Sequence, residues 1–132
     1  MSFPYLERTP WHFPSLPTTI HRDSGEIISP QLPALVDTGA DATLVPARYL
    51  RNQQLNVLQL ANIRSYWGEP RTVTIYLVSL TVGGEHLPGN DVVADETGDE
   101  IILGPNVLNR LILLLDGIQR QTDLLTRRPR RL

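Results

Sequence analysis

Asp37-Thr38-Gly39-Ala40 stands directly behind the apolar run Leu32-Pro33-Ala34-Leu35-Val36. An acid at the end of a buried strand, followed by a hydroxyl and a glycine, sits on a tight loop that can present a carboxylate to a substrate. Hydrolysing an amide without a metal or a covalent nucleophile takes one group to activate water and another to protonate the departing nitrogen. Two carboxylates sharing one proton do both, because like charges about 3 Å apart cannot both ionise. The sequence supplies one such acid, Asp37. A chain of 132 residues can complete the pair only with a copy of itself across a two-fold axis.

Other groups with chemical potential fall away on context. Asp23-Ser24-Gly25 repeats the acid-hydroxyl-glycine pattern, but it follows His21-Arg22 and precedes Glu26, which predicts a polar turn. Gly83-Gly84 predicts a hairpin turn and not a phosphate loop, since no helix start or lysine follows. Asp95, Glu96, Asp99 and Glu100 lack the spacing of a calcium loop and read as a solvated loop bordering the substrate groove. His12, His21 and His86 lack metal-ligand spacing, and cysteine is absent. The expectation is therefore no metal and no cofactor.

The elements that must position Asp37 are mostly strands. Thr18–Ile20 and Glu26–Ser29 flank the turn at 23–25; Leu32–Val36 and Ala42–Val45 flank the acidic loop; Pro46 opens a short helix through Leu50. Leu55 to Leu80 is extended except for a break at Tyr66-Trp67-Gly68-Glu69-Pro70, and Thr72–Leu80 is rich in β-branched residues. Further strands are expected at Val92–Ala94, Leu111–Leu115 and Ile118–Leu125, with a short helix over Pro105–Arg110 and a turn at Asp116-Gly117. Four prolines within residues 1–17 argue against a helix or a central strand there, while the aromatic residues among them suggest packing against the body. The expected division is a Pro/aromatic-rich segment at 1–17, a folded domain at 18–126 and a basic tail at 127–132. The fold class is all-β, mostly antiparallel, with one or two short helices.

Composition sets limits on function. An apolar fraction of 41% with 20% charged residues is that of a globular domain, and 6% aromatic residues imply an aliphatic core. No transmembrane run and no signal peptide is visible, so a cytoplasmic location is expected. All twelve basic residues are arginines, four of them within Arg127–Arg131. An acidic body with a short basic end does not suggest a nucleic-acid reader, nor does it suggest a membrane partner.

A second segment, Ile101-Ile102-Leu103-Gly104 leading into Pro105-Asn106-Val107-Leu108-Asn109, again runs an apolar strand into a glycine turn. With Asp37-Thr38-Gly39 it resembles the two signature segments of the retropepsins, the retroviral-type aspartic proteases, and among them the bacterial and cellular members. The resemblance implies a single-lobe acid protease fold completed as a homodimer, acting on polypeptide substrates as an aspartic endopeptidase through an Asp37 dyad. It implies loop support from Thr38, which braces the partner's loop, and from Gly39, at a turn that a side chain would block. Ala40, Asp41, Trp67 and Gly68 would contact substrate, the last two from a flap. In retroviral enzymes the acid at position 41 pairs with an arginine following the second glycine; here that place is Pro105, leaving Arg22 or Arg8 as replacements. The alternative is a dimerisation or peptide-binding module without useful turnover. The intact Asp-Thr-Gly argues against it, because a decayed enzyme has no chemical reason to keep a buried acid.

Overall fold

The computed structural model describes residues 1–64 and 70–130. Short strands open the chain: β1 (Ser2–Pro4), β2 (Leu6–Arg8), β3 (Trp11–Phe13) and the longer β4 (Ser15–His21). They are followed by β5 (Leu32–Val36), β6 (Leu44–Pro46), one 3-10 turn at Ala47–Tyr49, β7 (Val57–Arg64), β8 (Pro70–Val82) and β9 (Glu85–Asp95). The last elements are β10 (Ile101–Leu103), the helix α1 (Pro105–Leu108), β11 (Ile112–Asp116) and β12 (Gln121–Leu125). The protein is mostly β, as the apolar patterning predicts.

The main sheet runs β4-β5-β10-β6-β9-β8-β7, and β4 returns to pair with β8, so the strands from β4 to β8 close on themselves and β7 hangs outside. Most pairings are antiparallel, but β5 with β10 and β6 with β9 are parallel. The interior is aliphatic. Leu16, Ile20, Val45, Val78, Leu80, Ile101 and Leu103 have essentially no exposed surface. Burying a side chain of this kind contributes about 1.5–3 kcal/mol. A small second sheet, β1-β12-β11, joins the two ends of the chain, and Phe3 packs from it onto the core.

The N-terminal segment departs from its expectation. Residues 1–17 hold three whole strands and the start of β4, which crosses the expected boundary after residue 17 and pairs on both sides, with β5 and β8. Pro17 lies opposite Pro33 in the β4–β5 ladder. Neither can donate, so they occupy a non-hydrogen-bonded pair and no bond of that ladder is lost. The expected helix at 46–50 is a single turn, α1 stops at Leu108, and β12 begins at Gln121 because Arg120 takes a positive φ of 54° in the preceding turn. Among the described residues, no helix is long and apolar enough to cross a membrane.

Candidate active site

β5 delivers Asp37 between two neighbours. The N–H of Val36 donates to the carbonyl of Pro14 (2.9 Å), and the N–H of Asp37 donates to that of Leu103 (3.1 Å). The second apolar run, β10, thus lies parallel and in register beside the first, with Val36 opposite Leu103. The loop then folds onto the carboxylate. The N–H of Gly39 donates to Asp37 Oδ1 (3.0 Å), and that of Ala40 to the Asp37 carbonyl (3.3 Å).

Asp37, Thr38 and Gly39 are exposed in the single chain. In the single chain, then, the acid is not buried: β5 is flanked on both sides, but Asp37 stands one residue past its end. Thr38 makes no side-chain hydrogen bond among the described residues. Gly39 is also less constrained than expected, since an added Cβ would meet only Asp37 Oδ1 at 3.5 Å, an ordinary contact. The glycine with no room is Gly104, where a Cβ would lie 2.6 Å from the backbone carbonyl of Ala42.

A polar link between the two loops was invisible in the sequence. Thr43, fully buried, donates to Asn106 Oδ1 (2.7 Å) and accepts from the N–H of Gly104 (3.0 Å). Asn106 Nδ2 in turn donates to the carbonyl of Asp91 in β9 (2.9 Å). One hydroxyl therefore fixes the Asp37 loop, the second glycine and α1 relative to one another. The only local signal was a threonine inside the apolar run Ala42–Val45.

Asp37, Gly39, Ala40 and Asp41 line one cavity of about 350 Å³, together with Ala42, Leu44, Val93 and Ile102. Leu44 and Val93 also line an adjoining cavity of about 270 Å³ that continues past Arg71–Val73 of β8 to Asp95–Thr97. The two form a groove running from Asp37 across the sheet. Trp67 and Gly68 lie outside the described residues; the strands on either side of them, β7 and β8, pair antiparallel. Another cavity of about 350 Å³, beside Phe3, Tyr5 and Leu32, has no carboxylate among its described lining residues.

Neither candidate replacement reaches Asp41. Arg22 pairs with Glu26 (3.6 Å) and Arg8 with Glu100 (2.7 Å). The acidic loop is not simply solvated. Asp95 Oδ1 accepts from the N–H groups of Thr97 (3.1 Å) and Gly98 (2.9 Å), while Glu96 pairs with Arg51 and Asp99 with Arg48 (3.3 Å). Arg48 also donates to the Tyr49 hydroxyl, and that bond, followed by Asp99, holds its guanidinium above the usual range. Asp23-Ser24-Gly25 is the polar turn its context predicts: the N–H of Gly25 donates to the Arg22 carbonyl (2.8 Å), with Gly25 at φ 101°. Among the described residues, no three His, Asp or Glu side chains group as metal ligands would.

A strand-borne Asp-Thr-Gly loop beside a second apolar strand and glycine defines the retropepsin-like aspartic protease fold. The chain belongs to the family described as "gag-polyprotein putative aspartyl protease", whose sequence model matches residues 24–110, a span that holds Asp37 and Gly104 and leaves out Asp23. No curated protein matches it in sequence. Among solved structures it is similar to the simian foamy virus (mac) protease, at 25% identity and a TM-score of 0.54 over 72% of this chain and 91% of that one. A retropepsin-like aspartic protease from Rickettsia conorii gives a TM-score of 0.61 at 15% identity, over 94% of this chain and 89% of that one. The EIAV protease in complex with the inhibitor HBY-793 gives 0.54 at 18% identity, over 80% and 93%. The last two likenesses concern the fold alone.

Proposed function

We propose that this protein is an aspartic endopeptidase whose water-activating dyad consists of two Asp37 carboxylates, one from each subunit of a homodimer. The observation that carries this reading is the placement of Asp37. It is exposed at the end of a strand, held by a loop hydrogen bond, and lines a cavity of about 350 Å³. Among the described residues no second carboxylate shares a hydrogen bond with Asp37, whose Oδ1 is held by the N–H of Gly39, and a second copy placed loop to loop would supply one. In that pair the ionised Asp37 takes a proton from water as the oxygen attacks the peptide carbonyl. The protonated Asp37 then gives its proton to the leaving nitrogen.

The remaining roles follow from position. Thr38, exposed and free of hydrogen bonds among the described residues, is available to brace the partner's loop. Gly39 keeps the meeting loops slim, and Ala40 and Asp41 line the floor under the peptide. Trp67 and Gly68 would belong to a flap between β7 and β8 that closes over substrate and excludes water. The test is cleavage of an unfolded polypeptide by the wild-type protein, Asp37→Asn and Asp23→Asn. An amide is nearly isosteric with the carboxyl but cannot act as the base, so Asp37→Asn should lose hydrolysis and keep its fold, while Asp23→Asn should retain activity. The reverse pattern, or full activity in Asp37→Asn, defeats the assignment.

A further inference from the structure

Asp41 lines the same cavity as Asp37, is exposed, and takes part in no ion pair among the described residues. The arginines of the surrounding elements are committed elsewhere: Arg8 to Glu100, Arg22 to Glu26, Arg48 to Asp99 and Arg51 to Glu96. Position 105, packed against the same loop through Gly104, is a proline and brings no charge. Further along the groove the acids are already engaged. Asp95 caps its own loop through the N–H groups of Thr97 and Gly98, and Glu96 is paired with Arg51. Arg71 lines only the farther cavity, which shares Leu44 and Val93 with the one that holds Asp37. Among the described residues, the half of the groove that holds Asp37 is therefore lined by two carboxylates, Asp37 and Asp41, and by no cation, the rest of its lining being glycine and apolar side chains. A cleft of one charge sign with low-dielectric walls focuses its field on whatever enters.

We propose that Asp41 determines specificity by selecting polypeptide segments that carry an arginine or lysine close to the scissile bond. This deepens the endopeptidase reading and rests on it. The missing counter-charge is supplied by the substrate: its cation enters as the peptide lies along the groove and gains a charge-assisted hydrogen bond to Asp41. Arginine should be favoured over lysine, because its planar fork can meet both carboxylate oxygens. A surface ion pair alone would give a factor of up to about five. Partial exclusion of water by the bound peptide raises the expected preference to about 3- to 10-fold in kcat/KM.

The experiment uses matched peptides that differ only by Arg, Lys, Gln or Glu, scanned over the three positions on each side of the cleaved bond. Wild-type protein should prefer Arg over Gln by that factor in at least one position, reject Glu, and lose the preference as salt is added. In Asp41→Asn the Arg/Gln ratio should collapse towards one whatever the absolute rate, and Asp41→Arg should invert it in favour of Glu. An Arg/Gln ratio near one in the wild type, or one unchanged in Asp41→Asn, overturns the proposal. Binding of the same peptides to Asp37→Asn, read by fluorescence anisotropy, separates the two claims. A preference for Arg that disappears in the Asp37→Asn, Asp41→Asn double variant supports the Asp41 assignment even if no peptide is ever cut, and the absence of cutting then counts against the endopeptidase reading alone. Equal binding of the Arg and Gln peptides counts against Asp41.

Discussion

Replacing Thr43 by valine removes one hydroxyl and leaves the side-chain shape almost unchanged, so it isolates the polar link between the two loops. Two bonds disappear: the donation to Asn106 Oδ1 at 2.7 Å and the acceptance from the Gly104 N–H at 3.0 Å. They are not equivalent. Asn106 is exposed and its freed oxygen can turn to water, so that loss costs about 1 kcal/mol. Gly104 is buried against the Ala42 carbonyl, and its N–H is left without a partner, a further cost of about 1–2 kcal/mol. The expected loss is about 2–3 kcal/mol, equivalent to a fall in Tm of roughly 6–12 °C for a chain of this size. Urea unfolding at matched protein concentration should show the midpoint shifting with little change in slope. Thr43→Ser keeps both bonds and should recover most of the difference. If Thr43→Val lies within about 0.5 kcal/mol of wild type, as an ordinary surface change would, or if serine is as damaging as valine, the hydroxyl is not what joins the loops.

Local pattern revealed those parts of the fold whose causes are local. Leu32–Val36 is a strand whose backbone is paired by β4 on one edge and β10 on the other, and Ala34 at its centre is buried in the core. The likeness between Leu35-Val36 and Ile102-Leu103 also had a physical basis, since these residues are hydrogen-bonded neighbours in a parallel pair. Reasoning by residue type failed where a pairing partner decided the outcome. Proline argued against a helix or a central strand in residues 1–17, yet Pro17 is accommodated because the β4–β5 register puts it at a non-hydrogen-bonded position, which no local rule contains. The acids at 95–100 read as solvated, since nothing nearby in sequence neutralises them; the arginines that do so come from β2 and from the turn after β6. Thr43 and Asn106 were missed for the same reason, because each looks unremarkable until the strands place them in contact. Gly104 was legible as part of a repeated strand-and-glycine pattern, and the structure gives that glycine a physical reason in its close approach to the Ala42 backbone.

Two further outcomes follow. Activity per chain should fall on dilution, in step with dissociation to monomers seen by sedimentation, because each chain offers one Asp37; β11, an edge strand with Leu114 and Leu115 exposed, is available for such an association. A monomer that keeps full activity per chain refutes the shared dyad. The other outcome concerns the two glycines, which the signature treats alike and the structure does not. Gly104→Ala drives a Cβ to 2.6 Å from the Ala42 backbone, which cannot swing aside as a flexible side chain would, so the two loops must part at a cost of about 1–3 kcal/mol or more. Gly39→Ala meets only the Asp37 carboxylate at 3.5 Å and should leave the stability of the chain within about 0.5 kcal/mol of wild type. Urea midpoints that move equally for both variants would mean that the approach of the two loops is not what requires a glycine at 104.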